Sequence, residues 1–280
     1  MTQATNDQTW FITGAGSGLG RALSKKVLAR GGRVVAAVRA PDDSAVLELT
    51  TGADRVHVVK VDVTNDDEVR AGVADAVARF GDLDVVVNCA GRGSFGSIEE
   101  TPASEVRGLF DVNVFGSLNV IRAALPVLRN QRHGHFVQIS SLAGIAPPAA
   151  GLGVYAASKF AVEGLGEVLL KEVSHLGIGV TIVEPGDFRT GFGSAMHVTT
   201  PAVADYADSV GRAAEGFASM DPMKSGAPDK AAAAIIDAVT SSQPPLRLAL
   251  GDDAIESIHT KLTDQLAEGQ AWEATGRAMR

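Results

Sequence analysis

The apolar run Trp10-Phe11-Ile12 stops at Thr13-Gly14-Ala15-Gly16-Ser17-Gly18-Leu19-Gly20, after which Leu19, Leu23 and Val27 recur at helical spacing. A short buried strand, a glycine turn and a helix suit those three parts. Glycines let the backbone come close to a diphosphate, and a helix N-terminus offers that anion free N–H groups and the positive end of a dipole. A glycine-rich turn alone is a weak signal. Placed between a strand and a helix at the head of a βαβ unit, it directs the chain toward a parallel sheet that binds a dinucleotide. The competing reading is a tight turn without a ligand.

The segments that follow keep the alternation. Gly31-Gly32 closes the first helix, and Arg33 to Val38 reads as a second strand. At the end of such a strand an acidic residue would hydrogen-bond the adenosine ribose hydroxyls, whereas a 2′-phosphate needs a cation. Here Val38 is followed by Arg39, which favours NADP(H). NAD(H) stays open, because Asp42 and Asp43 follow closely and a strand-end Arg is also a common surface residue. Arg55 to Val63 gives a third strand ending in Asp62-Val63. Thr64 or Asn65 can cap the next helix, which Val69, Val73, Val77 and Phe80 mark until Gly81 stops it. Leu83 to Val87 is a fourth strand, delivering Asn88-Cys89-Ala90-Gly91 to the same sheet edge as the glycine turn.

Thr101-Pro102 opens a further helix, with Thr101 as N-cap and Pro102 at the first position, and Phe110, Val114, Leu118, Ile121, Leu125 and Leu128 carry its stripe to about Asn130. Asn113 interrupts that stripe, where a mid-helix amide competes for backbone partners; most such residues are merely satisfied polar groups. His135 to Ile139 is a fifth strand running into Ser140-Ser141. A loop rich in Ala, Gly and Pro then leads to a helix with Phe160, Leu165, Val168 and Leu169 inward, ending near Gly177. Val180 to Val183 is a sixth strand, closed by Glu184-Pro185-Gly186. Residues 187–228 lose periodicity over a length too great for a connector, which predicts a mobile lid with short helices. Asp229 caps a helix through Val239, Leu246 to Leu250 reads as a seventh strand, and Ile255, Ile258, Leu262 and Leu266 mark a terminal helix. Strands alternating with helices predict an α/β fold: a doubly wound parallel sheet with helices on both faces, in one domain over 1–280 with a flexible stretch at 1–8.

Composition closes off other classes. Hydrophobic residues make up 45% of the 280 while aromatics are only 5%, so the core is built from Ala, Val, Leu and Ile, as buried parallel strands require. A net charge of −8 without a basic cluster argues against a nucleic-acid or anionic-membrane surface. The single cysteine, Cys89, permits neither an intramolecular disulfide nor a Cys-based zinc site. A polar N-terminus and the absence of a long apolar run point to a soluble, cytoplasmic protein.

Tyr155-Ala156-Ala157-Ser158-Lys159 carries the chemistry. Residues four apart lie on one helical face, so the phenol and the ammonium share a small space, and a fixed cation favours the phenolate. Such a tyrosine can exchange a proton with a carbonyl or alcohol oxygen. The plain alternative is a surface pair on a long helix.

With the glycine turn, Asn88-Cys89-Ala90-Gly91, Asn113, Ser141, Tyr155/Lys159 and Pro185-Gly186 in one order, the chain resembles the short-chain dehydrogenase/reductase family from about Trp10 to Leu250. The resemblance implies a Rossmann-type sheet of strand order 3-2-1-4-5-6-7 and hydride transfer between NAD(P) and a carbonyl or alcohol. It implies Tyr155 as acid/base and Lys159 as the cation that tunes it and holds the nicotinamide ribose. Ser141 would hydrogen-bond the substrate oxygen, and Asn113 would anchor a relay water. It assigns the diphosphate to Thr13 through Gly20, with Gly14, Ser17, Gly18, Leu19 and Gly20 foremost, and the adenine to Asp62 and Val63. Asn88, Ala90 and Gly91 would take the adenosine side and ribose, and Pro185, Gly186, Phe188 and Thr190 the carboxamide. Dimers or tetramers through the helices bearing Asn113 and Tyr155 are implied as well.

Three departures stand out. Cys89 replaces the second Asn of the family's Asn-Asn-Ala-Gly. Ser141 precedes Tyr155 by one position more than is usual, leaving Ser140 as a rival, and no basic residue lies among the glycines. The expected activity is NADP(H)-dependent oxidoreduction of a small-to-medium apolar alcohol or carbonyl, with no metal, since a proton donor already sits on the oxygen. The competing function is a silent dinucleotide-binding sensor or scaffold. Phe95, Phe192, Met196 and Met223 are candidates for an apolar pocket, or equally for packing.

Overall fold

A computed structural model describes residues 7–43, 46, 48–50, 53–193, 195–199, 202–219 and 225–279. Its strands are β1 (Thr9–Thr13), β2 (Arg33–Val38), β3 (Val56–Lys60), β4 (Val85–Asn88), β5 (Ser94–Phe95), β6 (Gly134–Ile139), β7 (Ile178–Pro185), β8 (His197–Val198) and β9 (Arg247–Leu250). Seven of them form one sheet in the order β3-β2-β1-β4-β6-β7-β9, and every pairing is parallel. That is the doubly wound order 3-2-1-4-5-6-7, with its reversal between β1 and β4.

Helices α1 (Gly18–Ala29), α2 (Asp66–Phe80), α3 (Ala103–Phe110), α4 (Ser117–Gln131), α5 (Gly153–Val173), α6 (Arg212–Ala218), α7 (Pro228–Val239), α8 (Asp252–Ala271) and α9 (Glu273–Arg277) surround it. Side chains alternate across each strand, so β1 serves two cores. Trp10 and Ile12 pack with Leu23, Val27, Ile235 and Val239 of α1 and α7. Phe11, on the opposite face, packs with Val73, Ile121, Leu128 and Leu169 of α2, α4 and α5. This is why the strand is an unbroken apolar run, each such side chain contributing roughly 1.5–3 kcal/mol on leaving water.

Asn65 caps α2, its side chain accepting from Asp67 N at 3.1 Å and Glu68 N at 3.3 Å, and Gly81 closes the helix at φ 87°. Asn65→Ala is expected to lower stability by about 1 kcal/mol, read as a lower denaturant midpoint with unchanged m-value. Two other expected caps are corrected. Thr101 donates its hydroxyl to Ser97 O at 2.6 Å, and Pro102 takes the N-cap place before Ala103. Ala227 is the N-cap of α7, with Pro228 at its head, so Asp229 lies inside the first turn.

The long helix expected from Thr101 to Asn130 is three pieces, because a π-helical segment, Asp111–Gly116, separates α3 from α4. Its wider turn shifts the phase and carries Asn113 inward, to 1% exposure. In α5 the inward stripe is Tyr155, Lys159, Val162, Glu163, Gly166, Leu169 and Val173. Phe160 and Val168, expected inward, stand on the other side at 46% and 51% exposure.

In the 187–228 region, β8 pairs with β5, and Phe188 bridges to Gly226. Met223 lies outside the described residues, as do residues 1–6 of the N-terminal stretch. Among the described residues no helix is long and apolar enough to cross a membrane.

Candidate active site

The C-terminal ends of β1, β4, β6 and β7 bring the chosen residues to one edge. Thr13, at the end of β1, joins the first two: its hydroxyl donates to Val87 O at 3.2 Å and accepts from Cys89 N at 3.0 Å and Ala90 N at 3.1 Å. The glycine turn is thereby stapled to the Asn88–Gly91 turn, a role for Thr13 that spacing did not reveal.

Three glycines of the turn resist a larger residue. Gly14 has φ +67°, and a Cβ there would lie 3.0 Å from Ala90 Cα; one on Gly20 would strike the Gly14 carbonyl. Gly18 has φ +48° and faces the Thr190 side chain, 3.4 Å from where its Cβ would be. Ser17 is the N-cap of α1 but makes no side-chain cap, so the N–H groups of this helix end are not covered by its hydroxyl. A close-approach cradle at an uncapped helix N-terminus is what a diphosphate requires, and the residues fit a dinucleotide.

At the adenosine end, Arg39 is exposed just past β2, and Asp62 accepts from Thr64 N at 2.9 Å and its hydroxyl at 2.7 Å. Those Thr64 bonds first, and Arg39 nearby, hold the Asp62 carboxyl below its ordinary range. Val63 is buried beside it, its side chain near Gly116. Asn88 turns its amide inward, donating to Ser117 O and Gln138 Oε1 at 3.2 and 3.0 Å. A dinucleotide at residues 88–91 would therefore meet the backbone and Ala90 and Gly91 rather than the Asn88 amide. Pro185 and Gly186 end β7 against Asp253, whose carboxylate accepts from Asp187 N at 2.8 Å. Phe188 packs on Gly226, while Thr190 turns back over the glycine cradle.

Tyr155 and Lys159 project from the inner face of α5. Lys159 is 6% exposed, its Nζ donates to Ile139 O at 2.8 Å, and it lies 5.8 Å from the Tyr155 ring centroid. Ser141 follows β6, accepts from Ala143 N at 3.1 Å and is hydrogen-bonded to the Tyr155 phenol. Ser140 is not its equal: it points to the other side, beside Gly144 and the Glu163 carboxyl. The Asn113 amide is committed, accepting from Arg92 N at 2.9 Å and donating to Arg92 O and Ser158 Oγ, both at 3.0 Å. It holds the Gly91–Arg92 turn so that a Cβ on Gly91 would be 3.4 Å from Asn113 Oδ1 and 3.7 Å from Lys159 Nζ.

Burial decides the charge states. It pushes the Tyr155 phenol up to about 12, against the bond from Ser141, and brings the Lys159 ammonium down to about 8. The expectation of a phenol lowered by the neighbouring cation is thus corrected, because burial raises it instead. Phe192, with ring centroids 5.7 Å apart, and an apolar cluster of Phe95, Leu109, Leu152 and Val210 exclude water from the tyrosine, and the ammonium is directed to Ile139. Phe192 and Met196 also approach Gly93, where a Cβ would be 3.0 and 2.9 Å away. Cys89, inert by burial, is raised to about 11.

A cradle for a diphosphate and a half-buried Ser141 beside buried Tyr155 and Lys159, at the reversal of a doubly wound sheet, define a class. Residues 8–199 match the family described as short chain dehydrogenase. Oxidoreductase BOA17 of Botryotinia fuckeliana is 38% identical over 250 residues, 88% of this chain and 90% of that protein. A short-chain dehydrogenase from Streptomyces avermitilis superposes with TM-score 0.89 at 39% identity, covering 98% of both chains. A short chain dehydrogenase/reductase from Burkholderia phymatum in complex with NAD has TM-score 0.80 at 25% identity, covering 95% of this chain and 96% of that one. The chain belongs to the short-chain dehydrogenase/reductase family and is an oxidoreductase of that family.

Proposed function

We propose that the protein is an NADP(H)-dependent oxidoreductase acting on a small-to-medium apolar alcohol or carbonyl compound. The observation that carries this reading is the convergence of Ser141, Tyr155 and Lys159 beside the glycine cradle. When bound, the nicotinamide supplies or accepts the hydride. The chain does the rest. Ser141 donates a hydrogen bond to the substrate oxygen, and Tyr155, protonated at neutral pH, gives that oxygen its proton as negative charge develops there. Lys159 holds the ribose and offsets the charge left on the phenolate. Asn113 fixes the turn facing Lys159, with a free lone pair on Oδ1 where a relay water would be anchored. Phe192, Phe95 and Met196 form the apolar wall that favours an apolar substrate.

Arg39 is the residue assigned to the 2′-phosphate. Arg39→Ala is expected to weaken NADPH binding about tenfold, the worth of one exposed charge-assisted contact, and to leave NADH binding unchanged. Separate titrations with the two dinucleotides measure it; equal losses for both would remove the preference. Exposed Phe115, near Asn113, and Phe160 and Val168 on α5 support assembly into dimers or tetramers, which light scattering reads. The activity itself is tested by following NADPH consumption against a panel of apolar ketones and aldehydes. Tight binding without consumption across that panel would leave the silent sensor as the better reading.

A further inference from the structure

Behind Lys159 lies a group of charges that the proposed chemistry does not use. Ile182 of β7 pairs with Arg247 of β9, and Glu184 lies two residues further along β7, so Arg247 and Glu184 share the sheet face covered by α5. Arg247 Nη1 donates to Glu184 Oε1 at 2.7 Å and to Glu163 Oε2, and its Nη2 donates to Glu167. The Glu163 and Glu184 side chains are 5% and 3% exposed. Glu163 is one helical turn beyond Lys159 on the same inner stripe of α5.

One partly exposed guanidinium faces two buried carboxylates, Glu163 and Glu184, and the half-exposed Glu167, so the two buried carboxylates share a single cation. Carboxylates so buried are stable only when paired. Lys159, buried one helical turn before Glu163, is a second cation on that stripe, not in ion-pair contact with the carboxylates, since its Nζ donates to Ile139 O.

We infer that Glu163, fixed by Arg247, is a positioning residue: the internal counter-ion that keeps the Lys159 ammonium charged and directed toward Ile139 and the Tyr155 ring. Burial opposes the charge of Lys159; Cys89 at the end of β4 would favour it only as a thiolate, which burial disfavours, and Glu163 on α5 favours it. Glu163 in turn is raised to about 7 by burial and by Glu184, against the Ser140 hydroxyl and Arg247. Arg247, although burial works the other way, is held above its ordinary range by Glu184, Glu167 and Glu163. An ion pair that merely ties β9 to α5 would account for the contacts of Arg247 but gives Lys159 no share in them.

This inference rests on the reading of Lys159 as the cation of the reaction, yet its test does not. Protein labelled with 13C at lysine Cε, without dinucleotide, is titrated by NMR, the Lys159 resonance being assigned from its loss in Lys159→Met. In Glu163→Gln the midpoint of Lys159 is expected to fall by about one pH unit, as loss of a near opposite charge requires. The same direction is expected in Arg247→Gln, where Glu163 loses the cation that keeps it ionised. An unmoved midpoint in folded Glu163→Gln overturns the inference. Should both variants fail to fold, the wild-type resonance still decides: it should respond to the titration of Glu163 with a second inflection, and a single inflection overturns the inference. In active protein, the same coupling moves the pH profile of kcat in Glu163→Gln, which a purely structural tie would leave in place.

Discussion

Tyr155→Phe is expected to reduce turnover by about 1,000-fold, the middle of the range for a lost general acid, while dinucleotide affinity stays within about twofold. The substitution removes one hydroxyl and little else. The ring remains packed against Phe192 in the apolar cluster over α5, and the cradle at Gly14–Gly20 is formed by other elements. What disappears is the proton that burial holds on the phenol, raised as it is to about 12, together with its bond to Ser141. The sign of the pH dependence follows. Below its pKa the phenol is the acid form, so carbonyl reduction by the wild type should change little with pH across neutrality on account of this group. Alcohol oxidation needs the phenolate, whose fraction rises about tenfold per pH unit, so it should speed up toward alkaline pH. Steady-state kinetics in both directions and an independent NADPH titration check the two halves. A variant that turns over at the wild-type rate would remove Tyr155 from the reaction.

Much of the sheet was legible because a parallel strand buried on both faces must be an apolar run, and Trp10-Phe11-Ile12 or Val85-Val86-Val87 can hardly be anything else. The caps were less so. Asn65 wins over Thr64 by geometry, whereas the Thr101 hydroxyl finds Ser97 and never reaches the helix it precedes. The face of α5 was misjudged at Phe160 and Val168 because this helix is apolar on two sides, and residue type alone does not say which side meets the sheet. Asn113 looked like an interruption since the π-helical turn that brings it inward has no signature in a 3.6-residue period. Of the site, the Tyr-Lys spacing was local and so readable. The Glu163–Arg247 contact spans 84 positions, and nothing in either neighbourhood announces the other. One clue was available: Glu163 repeats the spacing from Lys159 that Lys159 has from Tyr155.

Gly20→Ala is expected to weaken dinucleotide binding at least about 100-fold, or about 2.7 kcal/mol, although it adds a single methyl group. Gly20 sits on the first turn of α1 with its Cα turned toward the preceding loop. An added Cβ would collide with the Gly14 carbonyl, a backbone atom that cannot rotate aside as a side chain can. Relief must come from moving residue 14, and this is blocked in its turn by Ala90, 3.0 Å from where a Gly14 Cβ would lie, and by the Gly14 N–H bond to Ala37 O at 3.0 Å. The turn therefore shifts as a whole or α1 retreats. Either displacement takes the N–H groups of the helix end away from the diphosphate, where their directed positive charge matters most. The sheet below is not touched, so the thermal unfolding transition should remain cooperative even if it falls by a few degrees. Titration with NADPH beside that unfolding measurement separates the two effects. Wild-type affinity in folded Gly20→Ala would mean that the diphosphate is not seated on this turn.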